Sequence, residues 1–264
     1  MKVASWREIN SALNKVNMVL EVVDARDPWT TRSRKLENLV ERRGKKLIVV
    51  INKSDLVPRK ILEEWKFFFE KEGHKTTYIS ARERLGTLKL RRFIKREAPE
   101  LPVKILVAGF PKVGKSSIIN VLKGKSSAST SPVPGSPGYT RHFQLYRIDR
   151  NLYMLDSPGV LPIEGDPLEL AIRGYPPEEL NNPIEVAAAL LKRAIRSDPT
   201  IVKRVYGIEE EEPIDILKIL AIKRGWKYRD GEPNLDEAAR QVIRDYHRYK
   251  LVFYVTPRDL GLVA

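Results

Sequence analysis

Apolar residues along the first hundred positions come in blocks of strand length, separated by segments with helical spacing. NMVLEVVDA (Asn17–Ala25) is a nearly unbroken apolar run, which predicts a strand buried on both faces. RSRKLENLVERR (Arg32–Arg43) follows with the period of a helix. The same alternation recurs in KLIVVI then ILEEWKFFFEK, and in TTYIS then GTLKLRRFIKREA. Strands alternating with helices of this length imply parallel βαβ units. After the connector APELPV, KILVAGF opens a further strand, and HFQLYRI and NLYML read as two more, the second running into DSPG. Between them SSASTSPVPGSPGYT carries no period and reads as a long loop. From Pro183 the pattern is helical through PIEVAAALLKRAI, PIDILKILAIKRG and LDEAARQVIRDYHRYK, with a strand-like KLVFYV at the end. The expected fold class is α/β, a doubly wound, mostly parallel sheet, followed by a small, mainly helical C-terminal domain. Three prolines in GYPPEELNNP place the expected boundary there, giving domains 1–178 and 179–264.

Composition narrows the possibilities. The 264 residues are 42% hydrophobic, enough for one sizeable core and a smaller one. With no cysteine and three scattered histidines, disulfides, thiolate metal sites and a structural zinc site are not expected. No apolar run approaches the roughly 18 residues that cross a bilayer, and MKVASWREIN lacks the apolar core of a signal peptide; the expectation is a cytoplasmic protein with no membrane partner. The formal net charge is +14, and most of it lies early: residues 1–100 hold 24 basic and 14 acidic side chains, an excess of 10. An anionic partner is favoured, although a heavily charged surface also serves solubility.

The most specific chemistry is GFPKVGKSS (Gly109–Ser117), which matches G-x-x-x-x-G-K-[ST] between a predicted strand and a predicted helix. Glycines let backbone N–H groups wrap phosphates, Lys115 would reach the β and γ oxygens, and the Ser116 hydroxyl would ligate Mg²⁺. Pro111, Lys112, Val113, Gly114, Lys115, Ser116 and Ser117 are therefore candidate nucleotide contacts. DSPG (Asp156–Gly159) closes a strand downstream: Asp156 would hold Mg²⁺ through water and the Gly159 N–H would meet the γ-phosphate. Thr140, in the intervening loop, is the candidate second hydroxyl ligand. Asn52-Lys53-Ser54-Asp55 follows another strand. A carboxylate can accept from guanine N1–H and N2–H₂ together, which adenine does not offer, so Asp55 predicts guanine and excludes an ATP-driven kinase. The Ser80-Ala81-Arg82 turn would cover the base with a backbone N–H and brace the Asp55 loop.

The order is base loop, bracing turn, phosphate loop, long loop, DSPG, whereas Ras-like GTPases begin with the phosphate loop. All strands keep their places if the usual termini are joined through APELPV and the chain is opened after DSPG. On DARDP (Asp24–Pro28), NKSD, SAR, GFPKVGKSS, PGYT (Pro137–Thr140) and DSPG, with the helical tail, the chain resembles the circularly permuted GTPases of the YlqF/RbgA family of ribosome-assembly factors. The resemblance implies a Mg²⁺-dependent GTPase binding GTP and GDP, with ribosomal RNA and a precursor of the large ribosomal subunit as partners, monomeric off the ribosome. DARDP sits where an α/β sheet faces its ligand, but its residue types suggest only local turn capping.

Two departures bear on catalysis. Val160 stands where Ras-like enzymes place a water-positioning Gln, and no histidine precedes His74, although the resemblance implies an N-terminal one. His142 is the other histidine near the γ-phosphate segments and reads as a strand-edge residue. Slow intrinsic hydrolysis is expected, and a GTP-sensing RNA-binding module with negligible turnover, released by exchange or a partner, is the alternative. Lys112 stands where relatives carry an Asn that helps to bind K⁺; either its ammonium replaces that cation beside the β and γ phosphates and removes a K⁺ requirement, or it is a solvated loop lysine. The candidate catalytic set is Lys115, Thr140, Gly159 and Lys112. RSRKLENLVERRGKK and RERLGTLKLRRFIKR each carry seven basic residues, suited to a phosphate backbone, or equally to a solvated face.

Overall fold

The computed structural model describes residues 4–124, 144–156 and 161–262. Met18–Asp24 (β1) is buried at all seven positions, as its apolar run requires. It pairs in parallel with Lys46–Asn52 (β2) on one side and Val103–Ala108 (β4) on the other. Lys75–Ile79 (β3) extends the β2 side, and Leu152–Asp156 (β6) extends the β4 side in parallel. Gln144–Asp149 (β5) closes that edge antiparallel to β6. The order β3-β2-β1-β4-β6-β5 turns back at the β1/β4 pair, so the two halves of the sheet are wound outward from there. Loops leaving β1 and β4 at their carboxyl ends diverge, which is where α/β sheets hold ligands.

Helices cover the sheet. Arg34–Arg42 (α3), Arg59–Lys71 (α4), Thr87–Glu97 (α5) and Lys115–Lys123 (α6) correspond to the predicted helices. Two others were not read from the sequence. Trp6–Leu13 (α1) begins at a Ser5/Glu8 capping box and buries Ile9, Ala12 and Leu13. Pro28–Thr31 (α2) starts within DARDP, its first turn capped by Asp27.

The chain divides into two compact units, Met1–Ile163 with Thr256–Ala264, and Glu164–Val255. The sequence places the boundary at 178/179 instead. Pro167–Ile172 (α7) accounts for the difference: Ala171 and Ile172 are buried in the helical core, with Leu168 and Leu170 packed on it. The proline-rich GYPPEELNNP lies inside this unit, pinned by buried Leu180. Pro183–Ser197 (α8), Ile201–Tyr206 (α9), Pro213–Arg224 (α10) and Leu235–His247 (α11) supply the rest, around Leu190, Leu191, Ile216, Leu220, Val242 and Ile243.

KLVFYV is not a strand. β propensity is realised against a partner strand, and residues 251–255 instead run along the helices, burying Leu251 and setting the Phe253 ring 5.4 Å from that of Tyr246.

Candidate functional site

The predicted motif loops collect at the carboxyl ends of β1 to β4. The phosphate loop leaves β4 and enters α6 through Gly114, whose left-handed backbone forms the N-cap. Residues Lys115, Ser116 and Ser117 make the first turn, where amide groups lack partners from the helix itself and favour an anion. Ser116 and Ser117 are exposed, Lys115 is buried, and its Nζ donates to the carbonyls of Gly109 (2.9 Å) and Phe110 (2.8 Å). Two glycines are dictated by close approach: a Cβ on Gly109 would lie 2.5 Å from the Val22 carbonyl oxygen, and one on Gly114 would lie 2.2 Å from Asn52 Nδ2. Lys112 is exposed and holds a left-handed backbone, φ 62°, between Pro111 and buried Val113.

Asn52 is the junction of the site. Buried at the end of β2, its Nδ2 donates to the Val113 carbonyl in the phosphate loop (2.8 Å), while its Oδ1 accepts the Ala81 N–H (3.1 Å). Segments 61 positions apart in sequence are thereby joined through one side chain. The Ala81 amide, expected to cover the base, is engaged with Asn52 in this structure. The bracing role expected of the same turn is visible in Ser80, whose hydroxyl donates to Asp55 Oδ1 (2.5 Å). Asp55 and Arg82 are exposed, and Ser54 begins a short 3-10 turn, Ser54–Leu56.

Lys53 has a left-handed backbone, φ 66°, and its ammonium lies 2.6 Å from Asp24 Oδ2. Arg26 grips the same carboxylate through both oxygens, with NH2 at 2.8 Å from Oδ2 and Nε at 3.1 Å from Oδ1. Burial alone would push the Asp24 carboxyl up; Arg26 and Lys53 outweigh it and hold the group well below the usual carboxylate range. The sequence reading missed this contact, since nothing local pairs Asp24 with Lys53. The turn-capping role does hold for Asp27, whose Oδ1 accepts the Thr30 N–H (2.9 Å).

One further correction concerns charge. Arg32 is not part of a basic outer face: it is buried, with Nε and NH2 on Glu37 (2.7 and 2.6 Å) and NH1 on Glu72. Arg34 also reaches Glu72, at 2.7 Å. Within β1, Glu21 is fully buried; Oε1 accepts the Ser33 N–H (2.6 Å) and Oε2 has no hydrogen-bond partner. Burial first, and Glu37 second, raise its carboxyl well above the usual range.

Among the described residues no group of three or more His, Asp or Glu side chains is arranged to hold a metal ion. A Mg²⁺ ion here would take one hydroxyl or carboxylate at a time together with phosphate oxygens, as that ion commonly does. Ser116 on the first turn of α6 offers such an oxygen. The β4/β6 register brings Asp156 level with Val107, beside the start of the phosphate loop. Thr140, Gly159, Val160 and His142 lie outside the described residues, as does the side chain of Asp156.

The RsgA GTPase family description matches residues 6–165. The chain belongs to the RsgA GTPase family. An uncharacterized GTP-binding protein of Methanocaldococcus jannaschii is 40% identical over 258 residues, covering 96% of this GTPase and 67% of the relative. Nucleolar GTP-binding protein 2 of Neurospora crassa is 33% identical over 261 residues, covering 94% of this GTPase but 41% of the relative. The GTPase thus spans less than half of that nucleolar protein. Among solved structures, GDP-bound YlqF matches with TM-score 0.67 and 25% identity, covering 96% of this chain and all of that one. GNP-bound YlqF from T. maritima gives 0.64 and 26%, covering 96% and 98%. The fold is that of a circularly permuted GTPase, with its base loop ahead of its phosphate loop.

Proposed function

We propose that this GTPase is a Mg²⁺-dependent switch that binds and slowly hydrolyses GTP and acts on a maturing large ribosomal subunit through ribosomal RNA. The observation that carries the nucleotide reading is the Asn52 junction, which ties the NKSD loop to the phosphate loop and to the Ser80 turn. Asp55 would accept from the guanine edge, the amides of the α6 first turn and Lys115 would hold the phosphates, and Ser116 and Thr140, with Asp156 through water, would hold the metal. When bound, Mg²⁺ neutralises charge on the β and γ phosphates. Lys112 would supply positive charge where relatives use K⁺. Equal hydrolysis rates in Na⁺ and K⁺ buffers are expected; strong stimulation by K⁺ overturns that role.

The ribosomal part rests on the likeness to YlqF, the kinship with nucleolar proteins, and the basic surface. On α5, Lys89 and Arg92 are exposed, and two neighbours are held by the protein: Lys95 pairs with Asp149 (2.7 Å) and Arg91 reaches the Leu122 carbonyl. Under this proposal the GTPase is cytoplasmic, and monomeric off the ribosome; separately, no helix among the described residues is long and apolar enough to cross a membrane. Val160, and the lack of a histidine before His74, favour a second reading, a GTP-sensing RNA-binding module with negligible turnover. Phosphate release from GTP, with and without isolated large subunits, separates the two. Stimulation together with GTP-dependent co-sedimentation supports the switch; co-sedimentation without phosphate release supports the module; neither overturns both.

A further inference from the structure

DARDP is the one motif that the nucleotide reading leaves without a task, and the structure places it against the base loop. Asp24 and Asn52 are register partners at the ends of β1 and β2, and the Ala25 N–H donates to the Asn52 carbonyl (2.9 Å). Beyond that bond the two segments meet through Lys53. Its stem runs back over the β1 end, its side chain is 10% exposed, and its ammonium lies against a carboxylate that is 5% exposed.

That carboxylate is itself fixed. Asp24 Oδ1 accepts from the Arg26 backbone N–H (3.0 Å) and Nε (3.1 Å), and Oδ2 accepts from Arg26 NH2 (2.8 Å), so the guanidinium holds the plane of the group. The Asp24 N–H donates to Thr31 Oγ1 (2.9 Å), which in turn donates to the Asp27 carbonyl (2.6 Å). The acceptor for Lys53 is therefore rigid in both backbone and side chain. Lys53 needs such a hold: its left-handed backbone is disfavoured for a residue with a Cβ, and without a tether the loop would relax toward commoner conformations.

We infer that Asp24, with Arg26, is a positioning residue for guanine recognition: it clamps Lys53 and so fixes the pose of the Asn52–Asp55 loop that carries the base-reading carboxylate. The inference rests on the guanine reading of Asp55. The loop is then held at Asn52 by Val113 and Ala81, at Lys53 by Asp24, and at Asp55 by Ser80. Removing the Lys53 tether leaves Asn52 engaged but lets Lys53 leave its left-handed conformation, which turns the Asp55 carboxylate away against its bond from Ser80 without dismantling the phosphate loop.

The discriminating measurement is the ratio of GTP to ITP affinity. Inosine lacks the 2-amino group, so the ratio reports how well Asp55 engages its second donor, and a general loss of stability leaves it unchanged. In Asp24→Asn the ratio is expected to fall about tenfold, the scale of one hydrogen bond to a charged group. Lys53→Met should lower it similarly, and the double variant should be no worse than Lys53→Met alone. Should Asp24→Asn fail to fold, Lys53→Met, which leaves the Asp24–Arg26 pair intact, carries the test. A wild-type ratio in the folded variant, or fully additive losses, overturns the inference. Asp55→Asn serves as the separate control: a shift toward XTP upholds the guanine reading whatever Asp24 does, and no shift removes that reading and the positioning role with it.

Discussion

Gly114→Ala should cost far more than a methyl group in a loop ordinarily does. The backbone there has φ +99°, where an L side chain costs about 1–2 kcal/mol. The added Cβ would also stand 2.2 Å from Asn52 Nδ2, well inside contact distance. Asn52 is 2% exposed and bonded at both ends of its amide, so it yields only by giving up the bonds to Val113 and Ala81. At about 1 kcal/mol each these add roughly 2 kcal/mol, for a total of about 3–4 kcal/mol. Urea unfolding of four proteins, wild type, Gly114→Ala, Asn52→Ala and the double variant, measures it. Asn52→Ala alone should cost about 2 kcal/mol, and on that background Gly114→Ala should cost only the backbone strain, so the double variant is about 2 kcal/mol more stable than the sum of the singles. Strict additivity, or a Gly114→Ala loss below about 1 kcal/mol, would refute the claim that these two loops share one packed side chain.

Glu21→Gln should flatten the pH dependence of stability. The folded carboxyl titrates above its ordinary value of 4.5, so its contribution is complete below that pH and is lost as pH rises through the raised value. Asp24, Glu37 and Glu72 are shifted down and act in the opposite direction at pH below their ordinary values, leaving the window above 4.5 to Glu21. Urea midpoints at about pH 5 and pH 8 should therefore differ less in the variant, with the gain at the higher pH; parallel profiles contradict this. Lys89→Ala and Arg92→Ala should each lower the slope of log affinity against log salt for ribosomal RNA by about 0.7–0.9, and an unchanged slope removes α5 from the interface. Hydrogen exchange should differ between GTP-analogue and GDP states within residues 164–255 if phosphate loss is signalled to the helical unit; identical protection argues against that switch.

Much of this arrangement is legible in the amino-acid sequence because it depends on local patterns. Parallel strands buried on both faces appear as apolar runs, and GFPKVGKSS sits between a strand and a helix as its chemistry requires. What escaped depends on distance. The Asp24–Lys53 contact spans 29 positions, and neither residue type announces a partner. Arg32 reads like the exposed basic residues around it, yet Glu37 and Glu72 draw it inward. Glu21 interrupts an apolar run that otherwise gives no hint of a buried acid. KLVFYV has the composition of a strand and lacks a partner. By contrast, α1 was recoverable: Ser5 and Glu8 stand at capping-box spacing, and the run after them was too short to show its period. The domain boundary failed because prolines mark a change of direction, which need not be a change of core.

The grouping of Thr256–Ala264 with the nucleotide-binding unit means that the polypeptide crosses between units twice, after Ile163 and after Val255. The helical unit is thus an insertion with two attachments rather than a pendant tail. A single proteolytic nick at either crossing would cut the linear chain in two and leave the helical unit covalently attached through the other crossing alone. Thr256–Ala264 therefore belong to the nucleotide-binding unit as much as the residues before Glu164 do, and a chain cut short after Val255 would lose one of the helical unit's two attachments.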